Sequence, residues 1–433
     1  HMSWKKLRSW FFFYEFHTLH KKPRAKIEVW QLRKLKLLIS HLQRNIPLYR
    51  ELLDVAQIQP EDIVSLDTLE KLPMMNKETF RGRRVEDYID TSHQPVGSWV
   101  TTSGTSGVLF APLRRAVAKM PRYSDSLRYR FLMEERPWRW DATWAKMAHV
   151  RVLRLPRENS ITVYVNDLLS NPMIALRQLA EFQPYIIEAH ASLLFELARQ
   201  ARIHGLKLRP RYAISASERL LPASRSFVEE EFECKVFVRY GLEEFGTVGL
   251  ECIQHDGFHI NAESFIVEVV DRDGKRLPDG TRGSVLITDL YNYEMPFVRY
   301  NTGDRGRLTW ERCACGLETP RLWFEGRYSA FLSFKQRQYH QFEFSEIMQL
   351  FTPHVFQYQI AKKSDTAMVV RLIPGPSYTS SVEAEMKEQF RKIMETVDVQ
   401  IEQVSHISRL PRGKSQIVAD ESVDQSLRSA SER

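Results

Sequence analysis

Residues 185–215 read YIIEAHASLLFELARQARIHGLKLRPRYAIS. Tyr185–Glu188 is strand-like. Ser192–Ile203 predicts a helix with a serine at its start, and Tyr212–Ser215 predicts a second strand. The rhythm continues on both sides. Leu176–Phe182 reads as the end of a helix, Ala223–Phe232 as another helix, and Lys235–Val238 as a strand running into Tyr240-Gly241. Strand, helix and strand joined by short links predict an α/β domain with parallel strands.

Further out, Ile27–Leu52 carries Leu32, Leu35, Leu38, Ile39, Leu42 and Ile46 at three- and four-residue spacing, which predicts one amphipathic helix. Phe265–Val270 and Ser284–Asp289 predict an antiparallel pair across the turn-rich Asp271–Arg282. After Gly326-Arg327 the pattern changes. Phe356–Ala361, Ala367–Ile373, the helical Val382–Thr396 and Val397–Val404 make a small α+β piece. The expected fold is therefore α/β: a large N-terminal domain over 1–326, built of mixed and parallel sheets with helices. A hinge over 327–330 leads to a small mobile α+β C-terminal domain over 331–433. The tail from about Asp420 is Ser- and charge-rich and expected to be disordered. There are no internal repeats.

Composition bounds the function class. The chain has 433 residues, 43% hydrophobic and 11% aromatic, enough for more than one core. No uninterrupted apolar run is long enough to span a bilayer. His1-Met2 looks like a cleavage scar, and nothing after it reads as a signal peptide. The basic and aromatic segment Trp4–Phe16 suits a packed helix, a partner contact or a membrane surface. The net charge of +8 suits anionic ligands, but the basic residues are dispersed and no nucleic-acid-binding signature accompanies them. Four cysteines argue against a disulfide scaffold and for a reducing cytoplasm. Eighteen glycines is sparse against the usual ~7% of residues. Several of them concentrate in short polar clusters, where backbone geometry or ligand approach can require them.

Four such clusters can carry chemistry. Thr101–Gly107 reads Thr-Thr-Ser-Gly-Thr-Ser-Gly and can present hydroxyls and backbone N–H groups to an anion. It lacks the lysine of a P-loop, and in isolation it also suits a solvated linker. Tyr240-Gly241-Leu242-Glu243-Glu244 follows a strand; the tyrosine can cover a base and Glu244 can hold Mg²⁺ near a polyphosphate. Arg299–Asp304 is a second polar loop, whose carboxylate suits the paired hydroxyls of a ribose. Leu410-Pro411-Arg412-Gly413-Lys414 lies past the last predicted strand and offers a mobile point charge. Each also has a plain reading as a turn or solvated loop.

In this order and spacing the four clusters resemble the adenylate-forming (acyl-CoA synthetase-like) superfamily, and more closely its phenylacetate–CoA ligase branch. The resemblance runs from Ile46–Arg50 through Lys414. It implies an AMP-forming acid ligase using ATP, Mg²⁺ and an acceptor such as CoA. It implies that Thr102, Ser103, Gly104, Thr105, Ser106 and Gly107 form the phosphate loop, with Thr105, Glu244 and Lys414 catalytic. Ser217 and Glu218 would border the adenine, Tyr240 would stack on it, and Gly241 would belong to the ATP/AMP site. Glu244 would bind Mg²⁺, Asp304 the ribose, and Arg327 would open the hinge. By fold analogy the acid pocket would lie near His190, Ala191 and Ser192. A carboxylate is already a nucleophile at neutral pH, so the absence of a Ser/His/Asp triad agrees with adenylation.

Cys252, His259, Cys313 and Cys315 make a Cys₃His set, a closed structural zinc site if they converge, although His255 competes with His259 and buried thiols are the plain alternative. Some relatives in this branch are expected to bind zinc in this arrangement. Cys234 reads as a core residue. The chain departs from the family at Ser329 and Ala330, where acids are usual. It departs again over Phe334–Phe344, which lacks a glycine, between about 135 and 165, and at Phe110-Ala111-Pro112. These departures leave the acceptor open between CoA, an amine, a hydroxyl and a carrier-protein thiol. The altered hinge and the aromatic N-terminus motivate a second reading, a zinc-stabilised nucleotide-binding scaffold of the same fold. A homodimer is compatible with either.

Overall fold

The computed structural model describes residues 18–92, 98–99, 113–114, 146–152, 159–335, 337–394, 396–410 and 413–422. The Trp4–Phe16 segment, the Thr101–Gly107 loop and residues from 423 onward lie outside them. The helices used below are α1 (Arg24–Asn45), α2 (Pro47–Val55), α3 (Pro172–Phe182), α4 (Ala191–Ile203), α5 (Pro222–Phe232), α6 (Gln341–Gln349) and α7 (Ser380–Ile393). The strands are β1 (Met147–Arg151), β2 (Ser160–Tyr164), β3 (Ile186–Ala189), β4 (Tyr212–Ala216), β5 (Lys235–Leu242), β6 (Gly246–Leu250), β7 (Phe258–Ile260), β8 (Phe265–Val270), β9 (Arg282–Asp289), β10 (Tyr300–Thr309), β11 (Arg321–Arg327), β12 (Val355–Ser364), β13 (Ala367–Pro374), β14 (Asp398–Gln403) and β15 (Val418–Asp420). The chain divides into two compact units: His1–Thr143 with Arg239–Phe324, and Trp144–Val238 with Glu325–Arg433.

In the first unit the strands run in the order β8-β9-β10-β11-β7-β6, followed by the Arg239–Leu242 end of β5. The β8–β9 pair is antiparallel, Phe265 opposite Asp289, as its alternation predicts. α1 buries Ile27, Leu35, Leu38, Ile39 and Leu42 on one face. Gln31 on that face donates to the carbonyls of Ala262 and Phe265. The single helix expected over 27–52 is two. Pro47 lacks an N–H and clashes with a helical residue before it, so Ile46 is extended (φ −119°, ψ 107°) and α2 starts afresh at Pro47.

The polar stretch expected as a loop over 299–304 is the entry to β10, with Tyr300 paired to Ile287 and Asn301 to Leu286. Arg299 fixes that entry. It is 1% exposed and its backbone is left-handed (φ 48°). Its guanidinium donates to the carbonyls of Leu72 (2.7 Å) and Gly274 and to the Glu268 carboxylate (3.3 Å). On either side of it, Met75 exchanges backbone hydrogen bonds with Arg299 and Asn301.

In the second unit β2-β1-β3-β4 is a parallel sheet, in which the 185–215 rhythm predicts β3 and β4 while β1 and β2 were not expected. Its apolar layer joins Val150, Ile187 and Ala213 to Leu176, Leu197 and Phe232 of the covering helices. The same unit carries the four-stranded sheet β14-β13-β12-β15, covered by Met386 and Phe390 of α7. α4 and α5 meet β12 through Phe195 and Phe227, whose rings lie 4.8 and 5.3 Å from Phe356. The three-residue β15, which follows Lys414, was not expected. It is too short and mixed to signal itself, and it exists because it pairs in parallel with β12. The glycine-free Phe334–Phe344 segment has a packing role: Phe334, Tyr339 and Phe344 are buried with Met348 and Phe390.

Replacing Arg299 with Met leaves Glu268 buried beside only the more distant Arg276 (3.5 Å) and orphans two carbonyl contacts. The expected loss is about 3–5 kcal/mol, the usual cost of breaking a buried pair, measured by guanidinium unfolding.

Candidate functional site

In the first unit the β5–β6 hairpin sets the geometry. Tyr240 pairs with Gly249, Gly241 with Thr247 and Leu242 with Gly246, so the expected 240–244 loop is a strand end followed by a tight turn. A Cβ on Gly241 would lie 2.2 Å from the Gly246 carbonyl oxygen, so no larger residue fits there without moving the hairpin. Tyr240 packs its ring on Phe258 (centroids 5.9 Å apart) and donates its hydroxyl to Asp304 Oδ2 at 2.6 Å. Glu244, in the turn, accepts from the Tyr300 hydroxyl at 3.0 Å. Both carboxylates are buried. Two motifs read separately in the sequence are thus one constellation, built by β5, β6 and β10. Tyr300 was missed because it reads as an ordinary core aromatic.

In the second unit the candidate residues gather beyond the C-terminal ends of the parallel strands, where α/β folds present ligand-contacting loops. β4 ends in Ser217, whose left-handed backbone (φ 67°) is uncommon for a residue with a side chain and turns the chain sharply into Glu218. Glu218 Oε2 accepts the Ser192 N–H at 2.8 Å, and Oε1 accepts the Ser415 N–H at 2.5 Å. α4 starts at Ala191 with His190 at its cap position, one residue before the expected start. The expected serine cap is absent: Ser192 contributes its amide, because Glu218 supplies the acceptor that the first turn lacks.

His190 Nδ1 lies 3.1 Å from the Ala216 carbonyl. Burial holds its pKa below the ordinary histidine value, the Lys414 and Arg151 cations add to that, and Glu218 opposes it. Lys414 closes a small hairpin: the Leu410 amide donates to the Lys414 carbonyl (2.8 Å) and the Gly413 amide to the Leu410 carbonyl (2.8 Å). Gly413 is there for its positive φ (79°).

Sequence reading missed a buried group on β1 and β3. Glu188 accepts from Arg151 at 2.7 Å and faces His149 Nδ1 at 3.6 Å. The signal was available, since Glu188 is a charged residue between the apolar Ile186-Ile187 and Ala189. Arg327 ends β11, and its carbonyl accepts the Ala330 amide (3.3 Å) in the turn at 327–330. The phosphate-loop residues Thr102–Gly107, including Thr105, lie outside the described residues.

Cys252, His259, Cys313 and Cys315 converge in the first unit, with their ligand atoms within 4.8 Å of one another. Cys252 Sγ is 3.8 Å from Cys313 Sγ, and Cys315 Sγ is 3.3 Å from His259 Nε2. Thr319 Oγ1, 3.0 Å from His259 Nδ1, occupies the other ring nitrogen. His255 instead faces Glu251. Hydrogen bonding from Cys252, with help from His259, pulls the Cys315 thiol down to about 3, while the Cys252 thiol is pushed up. Cys234 is a half-buried free thiol that burial pushes up to about 12. Among the described residues no helix is long and apolar enough to cross a membrane.

Changing Tyr240 to Phe removes the donor that holds Asp304 Oδ2. The expected cost is on the order of 1–3 kcal/mol in urea unfolding, because a buried carboxylate loses a partner.

No family model matches the chain. The chain is 28% identical over 328 residues to a phenylacetate-coenzyme A ligase of Thermus thermophilus, covering 71% of each protein. It is 26% identical over 307 residues to that of Escherichia coli, covering 65% of this chain and 67% of the relative. Among solved structures, 2-hydroxyisobutyryl-CoA ligase in the postadenylation state, in complex with R3-HIB-AMP, matches with a TM-score of 0.76 at 19% identity. That match covers 95% of this chain and 93% of the other. The structural likeness establishes the fold, and the sequence likeness points to the branch.

Proposed function

We propose that this chain, a phenylacetate–CoA ligase-like member of the adenylate-forming superfamily, is an ATP-dependent ligase. It activates a carboxylic acid as its acyl-adenylate and passes the acyl group to an acceptor. The observation that carries the reading is the Tyr240–Asp304 pair, which joins two motifs 64 residues apart at 2.6 Å. With Glu244 beside it, this gives an aromatic face, a carboxylate for vicinal hydroxyls and a second carboxylate for a cation.

In the proposed reaction a carboxylate oxygen of the acid attacks the α-phosphorus of ATP, and the bond to the departing pyrophosphate breaks. No proton moves, so the protein's task is alignment and charge neutralisation. Asp304 fixes the ribose and Tyr240 covers the base. Ser217 borders the nucleotide, Arg327 sits at the hinge, and Thr102–Gly107 with Thr105 cradle the phosphates. Lys414 brings a cation to the oxygens on which charge grows. Mg²⁺, when bound, neutralises phosphate charge. Glu244 would hold it: Tyr300 donates to Oε1, and a carboxylate has a second oxygen to offer a cation. The acid pocket is placed at His190, Ala191 and Ser192. His190 Nδ1 lies against the Ala216 carbonyl, which leaves Nε2 of the neutral ring as a hydrogen-bond acceptor for a donor group on the acid.

CoA is the proposed acceptor, since the curated relatives named above are CoA ligases. An amine or a carrier-protein thiol is the alternative that the departures at Ser329 and Ala330 keep in play. ATP–pyrophosphate exchange across a panel of aromatic and small organic acids tests the first half-reaction. At least one acid is expected to support exchange, and Lys414→Ala is expected to lower it by on the order of 100-fold or more. ATP binding without exchange for any acid would favour the scaffold reading.

The Cys₃His set is proposed to hold structural Zn²⁺. Three soft sulfur donors and one imidazole suit zinc, four ligands close its shell, and the Thr319 contact leaves His259 Nε2 for the metal. The purified protein should carry about one zinc per chain by elemental analysis, and Cys313→Ser should lose the metal and lower the unfolding temperature. Full metal loss with unchanged stability would contradict a structural role.

A further inference from the structure

The Glu218 carboxylate joins two backbone segments, 26 and 197 residues away in sequence. Oε2 is committed to the first turn of α4, where an N–H without an intrahelical acceptor and the positive end of the helix both favour a carboxylate. Oε1 therefore faces outward and takes the amide of Ser415, the residue after Lys414. The Lys414 backbone is held from both sides, because its own carbonyl accepts the Leu410 amide. At the other end of this hairpin Arg409 donates to the Ser192 carbonyl at 3.3 Å. Both strands of the hairpin thus hang on the same helical turn. Lysine carries its charge on a flexible four-carbon stem, so where the ammonium lands depends on how firmly its backbone is placed.

We infer that Glu218 is a positioning residue for Lys414. Its carboxylate seats the 409–415 hairpin on the first turn of α4 and so directs the ammonium. The inference rests on reading Lys414 as the adenylation lysine, and it assigns Glu218 a role other than contact with the nucleotide.

The test is ATP–pyrophosphate exchange by the full chain with an acid that the wild type accepts, comparing E218Q, E218D, K414A and the double variant E218Q/K414A. Glutamine has one accepting oxygen where two are needed. Aspartate keeps the charge but is one methylene too short to reach both amides. Both single variants are expected to lose kcat by on the order of 10–100-fold, as a slight misplacement of a catalytic group does. KM for ATP should stay within about twofold. In the K414A background E218Q should cost less than about twofold, because the residue it positions is gone.

Three kinetic outcomes would overturn the inference: an equal loss from E218Q with and without Lys414, a raised KM for ATP at unchanged kcat, or wild-type behaviour of E218D. Trypsin supplies a readout independent of activity. Cleavage after Lys414 should accelerate in E218Q while the circular dichroism spectrum is unchanged; equal cleavage rates would sink the seat. If the wild type supports exchange with no acid, the adenylation reading fails, and the trypsin comparison alone decides whether Glu218 seats the hairpin.

Discussion

Arg299 is the constraint on which the first unit is built. It is a charged, fully buried side chain on a left-handed backbone, stable only because carbonyls from two separate segments and the Glu268 carboxylate surround it. Such a residue cannot drift, since any shift strands a buried charge. It immediately precedes Tyr300. The start of β10 is therefore fixed in register against β9, and Tyr300 and Asp304 reach Glu244 and Tyr240. Packing sets the position, and polar contacts use it.

The second unit solves a similar problem by another route. Three parallel strands end at one level, and the residues that follow them (His190, Ser217 and Glu218 among them) are placed by the sheet. The strain at Ser217 and the buried Glu188 carboxylate beside a half-buried Arg151 are both departures from what a purely structural strand would carry. Unfavourable local choices tolerated together at strand ends mark a place shaped by something other than stability.

The sequence revealed elements better than it revealed their ends. Short apolar runs and helical spacing located β3, β4 and the β8–β9 pair, because burial on both faces or one leaves a periodic trace, but β1 and β2 went unseen. It hid the break at Ile46, where one proline outweighs a continuous apolar stripe. It also hid the strand character of Tyr240–Leu242 and of Tyr300–Asp304, because polar residues and glycines in a ladder look like a loop until their partners are known. The four zinc-type ligands were legible as a set, and geometry chose His259 over His255. The Glu218–Ser415 contact was invisible, since a carboxylate meeting a backbone amide 197 residues away leaves no pattern in one chain.

The short strand β15 reaches beyond its size. Lys414 lies on a span between β14 and β15; β15 is held by its pairing to β12, by Val418 packed against the core, and by the adjoining Glu421, which bridges Arg371 and Lys363. The final described residues are therefore the far anchorage of the lysine hairpin. A chain cut just after Ser415 would retain every candidate catalytic group yet leave that hairpin tethered at one end. The useful limit for trimming this protein is set by Glu421, not by the last residue with a chemical role.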